Sequence, residues 1–198
     1  MPTRTGPRAE ASKRMRDAIV AATVQIVARE GVAAVSHRRV AAEAGVGLSS
    51  TTWHFATKAD ILEAALEWTA GREVERIGAI AERLGDAGFD ATAWADELAG
   101  WLIEEVTVER ETAVALYRLQ VELLGSPRAA EMHRRWGEGL RGVGERVLEH
   151  SPTTTPELDL RLVVATLDGL RIGVLSSGEE DVGWLHDAVR RQLGALLG

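Results

Sequence analysis

Four hydroxyl side chains in a row, Ser49, Ser50, Thr51 and Thr52, follow Gly45 and Gly47 and lead into Trp53, His54 and Phe55. A hydroxyl is a nucleophile only when a base and an oxyanion cradle surround it. No serine here stands in a Gly-x-Ser-x-Gly elbow. The five histidines, His37, His54, His133, His150 and His186, are scattered, without the spacing of a zinc-binding helix. The absence of cysteine removes thiolate ligands, disulfides and thiol catalysis. Gly139-x-x-Gly142-x-Gly144 lies inside a helical pattern with no strand before it, so it is not a dinucleotide fingerprint. An enzyme is not expected, nor a metal or cofactor. The hydroxyl run is left with hydrogen bonding to a surface, beside the cations Arg38, Arg39 and Lys58.

Such groups need a rigid mount. Ser36 is placed to cap a helix over 37–44, accepting from an orphan N–H of its first turn. Val40, Ala41 and Ala44 give that helix a small apolar face. Gly45 ends it, because glycine takes the left-handed conformation without a Cβ clash. A second short helix spans 49–55. Helix, glycine turn and helix form a helix-turn-helix unit, whose second helix enters the major groove of DNA. Gly47, Leu48, Ser49, Ser50, Thr51 and Thr52 then meet base edges, where a threonine methyl can touch a thymine methyl. Ser36, Arg38, Arg39, Trp53, His54 and Lys58 form the phosphate-facing set, which positions rather than specifies. Trp53 and Phe55 also read as packing residues, and His37 as a solvated one. Arg4, Arg8 and Lys13 extend the set along a basic arm over 1–11.

The net charge of -7 conceals an asymmetry. Residues 1–58 hold nine Lys/Arg and four acids; the remainder holds fourteen and twenty-six. A basic amino-terminal end and an acidic body fit a DNA-facing module on a body that DNA repels. No apolar run approaches the roughly 18 residues that cross a bilayer, and the N-terminus lacks the apolar stretch of a secretory signal. No membrane partner is expected, and the location is read as cytoplasmic, associated with the nucleoid.

The remaining pattern is helical almost throughout, and an all-α chain is predicted. A helix capped by Ser12 runs to Glu30 and stops at Gly31. Thr57 and Asp60 have capping-box spacing for a helix continuing to about Ala70. Gly85-Asp-Ala-Gly88 breaks a helix. A helix from near Thr92 aligns Trp94, Leu98, Trp101 and Glu105. One over 112–124 aligns Val114, Tyr117, Val121 and Leu124. One over 127–149 contains Gly137, Gly139, Gly142 and Gly144, which points to close packing or bending. The helix over 157–176 is apolar round most of its circumference, as in an element buried on two sides, and the helix over 180–197 adds Val182, Leu185, Val189, Leu193 and Leu196. Leu160, Val163, Leu167, Leu170, Val174, Leu185, Val189 and Leu193 are read as a homodimer interface, a four-helix bundle across a two-fold axis. Arg118 and Glu122 read as a surface pair.

Arg29-Glu30-Gly31, Ser36, Ala44-Gly45-Val46, Trp53-His54-Phe55 and Lys58 occur in one combination. Over about residues 13–66 it resembles the N-terminal domain of the TetR family of bacterial transcription regulators. That resemblance implies an N-terminal three-helix helix-turn-helix domain (1–58) and a C-terminal helical ligand-binding and dimerisation domain (59–198). It implies a double-stranded DNA operator and a small-molecule effector that shifts the spacing of two reading heads. Val27 replaces a common phenylalanine. Thr52 replaces a tyrosine that touches a phosphate, leaving that contact to Trp53 or His54. The C-terminal body resembles the family in architecture and helix order only.

A homodimeric repressor released from a near-palindromic operator is therefore expected. Six of nine aromatic residues are tryptophans. The effector is expected against Trp68, Trp101, Tyr117, Gln120, Val121, Leu124, Trp136 and Leu167. Asp168 and Arg171, charges inside the most apolar helix, are added because a buried charge needs a partner. Two other readings stand beside this one: an all-α enzyme or carrier with an incidental helix-turn-helix, and a regulator without a small ligand.

Overall fold

The computed structural model describes residues 6–85, 89–148, 151 and 153–197. Among these the regular structure is helical: α1 (Pro7–Glu30), α2 (His37–Ala44), α3 (Leu48–His54), α4 (Lys58–Gly85) and α5 (Ala91–Thr107), then α6 (Arg110–Glu122), α7 (Pro127–Leu148), α8 (Pro156–Ser177) and α9 (Trp184–Leu197). A turn of 3-10 helix at Val32–Ala34 follows α1. The chain divides into two compact units. One comprises the residues up to Ala70 with Val114–Glu131; the other comprises Gly71–Ala113 with the residues from Met132 onward. The expected boundary at residue 58 falls inside the first unit.

In the first unit α1 begins at Pro7, behind Gly6, and not at Ser12. Proline suits the first helical position, where its missing N–H would be unpaired anyway. The Arg-Ala-Glu-Ala that follows favours helix. The arm thus shrinks; residues 1–5, Arg4 included, lie outside the described residues. Ile19, Val20, Val24, Ile26 and Val27 are buried, and the buried Thr23 hydroxyl donates to Ile19 O at 2.8 Å. Gly31 closes α1 at φ 86°. Ser36 Oγ accepts from Arg39 N at 3.2 Å, and Gly45 takes φ 66°.

Asp60 Oδ2 accepts from Thr57 N at 2.9 Å while Asp60 N donates to Thr57 Oγ1 at 3.1 Å, so the capping box at the start of α4 is reciprocal. Arg118 does not serve a surface pair with Glu122. Its Nη1 donates to Val27 O and Ala28 O, each at 2.8 Å, placing a cation on the carbonyl end of α1. At the start of α7, Arg128 meets Asp60 at 3.0 Å and Glu63 at 2.9 Å.

In the second unit α4 continues past Ala70 through Gly71 and Gly78, where no break occurs. Arg–Glu pairs tie it to α5 and to the turn that follows in antiparallel register: Arg76 with Glu104 and Arg83 with Glu97 at 2.5 Å on α5, then Arg72 with Glu109 at 3.1 Å and Arg76 with Glu109 at 3.0 Å in the turn. Trp94, Leu98, Trp101 and Glu105 are all buried, as their spacing predicts. The glycines of α7 divide into two kinds. A Cβ on Gly139 would lie 3.1 Å from Val74 Cγ1, and one on Gly144 only 2.5 Å from Leu160 Cδ2, so close packing explains these two. Gly137 and Gly142 face open space.

The apolar residues of α8 and α9 have a different destination from the expected one. Leu167, Val174, Leu185, Val189 and Leu193 are buried in this unit's own core, and Leu160, Val163 and Leu170 pack against it. The face of α5 carrying Trp94, Leu98 and Leu102 requires them, since α5 packs against both helices. What α8 leaves uncovered is another stripe: Leu158, Leu162, Ala165, Gly169 and Ile172, at 4-3-4-3 spacing. Leu158, Leu162 and Ile172 are 55%, 40% and 41% exposed.

Candidate functional site

The first unit holds α3 by its inner side. Phe55 is buried, with Arg16 Cζ 5.4 Å from its ring centroid. Thr51 is fully buried, so it belongs to the core of the unit and not to the base-facing set. His37 is not a free surface residue: its Nε2 lies 2.8 Å from Phe55 O, tying α2 to the end of α3. Leu48, Ser49, Thr52 and Trp53 form the outer face of α3, with Ser50 and His54 half-buried beside them. Trp53 is 75% exposed, its ring edge-on to His54 at 4.6 Å, and is no packing residue. Between α1 and α3 runs an open groove of about 430 Å³, lined by Ala11, Ser12, Met15, Ser49, Ser50, Trp53 and His54.

The phosphate-facing set thins out when its partners are counted. Arg39 is held between Glu30 at 2.6 Å and Glu43 at 2.7 Å, which raise its pKa further. Lys58 Nζ donates to Val32 O at 2.8 Å, so it closes a turn. Burial, with Arg16 nearby, holds His54 below the ordinary imidazole range, leaving it a neutral hydrogen-bonding group at pH 7. Arg38 is exposed and has no ion-pair partner among the described residues. Arg8, Lys13 and Arg14 stand exposed along α1. Charge type and spacing marked these cations in the sequence; which of them an acid already holds depends on tertiary contacts.

The second unit contains a cavity of about 70 Å³ with a wholly apolar wall. Ile77 of α4 and Trp94 and Leu98 of α5 form one side. Leu140, Val143 and Gly144 of α7 and Leu160, Val163 and Leu167 of α8 form the rest of the wall with Leu193 of α9. Of the residues expected around an effector, only Leu167 lines it. Val121 and Leu124 are exposed instead, because α6 buries its Leu116, Leu119 and Leu123 face. Trp68, Tyr117, Gln120 and Trp136 do not line it. Leu160, Val163 and Leu193, read from sequence as an interface, do. Their signal was the apolar circumference of α8 beside a glycine-rich helix, which was assigned to assembly.

One helical turn from the cavity wall lies a buried charged layer. Glu73 precedes Ile77 by one turn on α4, Arg171 follows Leu167 by one turn on α8, and Trp101 and Glu105 lie one and two turns beyond Leu98 on α5. Arg171, 1% exposed, meets Glu73 at 3.0 Å, Glu105 at 3.1 Å and Asp168 at 2.5 Å, with its Cζ 5.5 Å from the Trp101 ring. Asp168 and Arg171 thus pair with each other and with two further acids. Burial pushes Glu73 up to about 7, against the pull of Arg171, and raises Glu105 as well. Glu73 Oε2 and Trp101 Nε1 are buried without hydrogen-bond partners among the described residues.

A short helix with an outward hydroxyl face, mounted behind a capped helix and a left-handed glycine, and a separate helical unit with an apolar cavity are the two features to match against known proteins. The family model described as "Bacterial regulatory proteins, tetR family" matches residues 19–65, and that described as "Tetracyclin repressor-like, C-terminal domain" matches residues 89–198. No curated protein sequence matches the chain. Among solved structures, the multidrug binding protein EbrR complexed with ethidium is 32% identical, with a TM-score of 0.70 over 93% of this chain and 99% of that one. EbrR complexed with malachite green is 31% identical, with a TM-score of 0.68 over 92% and 98%. SCO1917, a TetR-family member from Streptomyces coelicolor A3, is 30% identical, with a TM-score of 0.71 over 93% and 98%. With both of its parts matched, and with relatives of this identity along nearly its whole length, the chain belongs to the TetR family of bacterial transcription regulators, DNA-binding proteins and not enzymes.

Proposed function

We propose that the chain is a homodimeric repressor that holds a near-palindromic operator through α3 and releases it when an apolar, aromatic effector enters the second unit. The observation that carries the effector half is the wholly apolar cavity, walled by five helices. Its likeness to EbrR, crystallised with ethidium and malachite green, points to flat aromatic cations as the first probes. At about 70 Å³ the cavity is far below the roughly 300–1,000 Å³ of drug-sized sites. A dye must therefore spread the walls, and that spreading supplies the two states with different affinities that release requires.

The DNA half rests on the exposed face of α3 and on Arg38, Arg8, Lys13 and Arg14. Two-fold pairing rests on the uncovered α8 stripe and on the exposed Trp184 of α9. It sets two α3 helices about one DNA turn apart, roughly 34–36 Å. No helix among the described residues is long and apolar enough to cross a membrane, and the reading puts the protein with its operator in the cytoplasm, on the nucleoid. The test uses the duplex upstream of the gene, whose retention is measured against salt and then against malachite green. Ethidium intercalates into DNA, so its binding is followed on the free protein. Val163→Trp fills the cavity; it is expected to keep the duplex but lose both dye responses. Dye responses equal in Val163→Trp and wild type would refute the assignment of the cavity.

A further inference from the structure

The outer face of α3 lacks the side chains that usually read bases. Leu48, Ser49, Thr52 and Trp53 are exposed, and none carries a charge or a carboxamide. Bidentate pairing with guanine or adenine edges, the work of Arg, Lys, Asn and Gln, is closed to this face. Two of the four residues offer methyl groups. Leu48, the first residue of the helix, is 49% exposed and stays clear of the core that takes Val40 and Phe55. Its neighbour Gly47 has no side chain to shield it. Thr52 stands one turn further on, on the same face. Its hydroxyl lies 3.2 Å from Leu48 O and 3.1 Å from Ser49 O. The hydroxyl proton is spent inside the helix, and the γ-methyl is the branch left untied.

Four residues of α-helix advance about 6 Å. Base pairs are spaced about 3.4 Å apart. The Leu48 and Thr52 methyls therefore span about two base-pair steps. In the major groove the apolar group within reach is the 5-methyl of thymine.

We propose that α3 reads its half-site through thymine 5-methyl groups, with Leu48 and Thr52 as the specificity-determining pair. The proposal rests on α3 being the reading helix. Each half-site then carries thymine at two positions within about two steps of one another. Ser49 and Trp53 flank the stripe and serve backbone and orientation.

The experiment uses the full chain and duplexes selected by it from a randomised library. Each thymine of the selected half-site is replaced singly by deoxyuridine, which keeps the hydrogen-bonding edge and removes the methyl. Wild-type affinity is expected to fall about fourfold per half-site at two positions, the worth of one buried methyl-sized group. Leu48→Ala should be indifferent to deoxyuridine at one of them, and Thr52→Ser, which keeps the hydroxyl, at the other. Leu48→Met retains an apolar contact and should retain sensitivity. Because Leu48 is exposed, melting temperatures should match across the series. Deoxyuridine costing wild type and Leu48→Ala equally, or costing nothing at any thymine, overturns the proposal. A separate variant isolates the premise. Ser49→Glu sets a like charge against the duplex and should abolish binding. Wild-type binding by Ser49→Glu would remove α3 from the groove altogether.

Discussion

Replacing Glu73 by glutamine should make the protein more stable at pH 8 and change it little at pH 5. Three carboxylates, Glu73, Glu105 and Asp168, share the single guanidinium of Arg171. Glu73 itself is 6% exposed, and one of its oxygens has no partner. Burial moves its pKa from 4.5 to about 7 in the folded chain. The folded state therefore holds this proton more tightly than the unfolded state. The stabilisation that follows is complete below pH 4.5 and is lost as pH rises through about 7. A shift of that size is worth roughly 3 kcal/mol at 1.36 kcal/mol per pH unit. Glutamine copies the protonated shape and does not titrate.

The variant's advantage over wild type should thus be under about 1 kcal/mol at pH 5 and about 3 kcal/mol at pH 8. In a chain of this length that is on the order of 5–10 °C in melting temperature. Thermal unfolding followed by circular dichroism at pH 5, 6, 7 and 8 reads it directly. The remaining raised carboxyl, Glu105, leaves a shallower slope in the variant. A glutamine variant that is less stable than wild type at pH 8, or whose advantage does not change with pH, would mean that Arg171 holds Glu73 as an ion, and the reasoning would fail.

Arg38→Ala should lower the slope of log affinity against log salt by about one per phosphate lost, in binding titrations between 50 and 200 mM salt, roughly the range where such losses are plain. Arg39→Ala should leave that slope unchanged and lower the melting temperature slightly, since its guanidinium is engaged by Glu30 and Glu43. Gly139→Ala and Gly142→Ala should move stability in opposite directions. The first drives a Cβ against Val74, whose branched side chain cannot turn aside, and should cost about 1–3 kcal/mol. The second meets nothing within 4 Å and should stabilise by up to about 1 kcal/mol; urea unfolding separates them. Ile172→Glu places a charge on the uncovered α8 stripe; on the proposed pairing it should shift sedimentation from dimer to monomer while leaving the helical circular dichroism of the chain unchanged.

Local rules made the first unit legible. Ser36, Gly45, Thr57 and Asp60 each declare a helix end through their own backbone chemistry, and each end falls where its residue predicts. Residues decided by tertiary contact were not legible. Arg39 and Arg38 are identical neighbours in sequence, yet one meets Glu30 nine residues away and the other meets solvent. Thr51 and Thr52 differ by 100° round a seven-residue helix, enough to put one in the core and the other outside. Gly71 did not end α4, because packing and the ion pairs of Arg72 and Arg76 to Glu109, in the turn after α5, outweigh a glycine that costs about 1 kcal/mol. In α8 the apolar circumference established burial on two sides but not which side serves the chain's own cavity. That depended on the bulk of Trp94 and Leu98 opposite, which drew Leu160, Val163 and Leu167 inward and left Leu158, Leu162 and Ile172 outside.

If α3 reads DNA as proposed, attraction and discrimination fall on different helices. The exposed cations, among them Arg8, Lys13, Arg14, Arg16 and Arg38, stand on α1 and α2, while the outer face of α3 carries none. Phosphate contacts release counterions and strengthen binding to every sequence alike. A neutral α3 adds no such attraction, so whatever it contributes must depend on base-edge shape, on methyl groups and on hydroxyl hydrogen bonds. Such contacts are individually weak, a few-fold each, and become selective only when two copies read two half-sites at once. On the proposed reading, an uncharged α3 makes pairing through α8 a condition of specificity as well as of affinity, since a lone protomer would keep its cations and lose most of its discrimination.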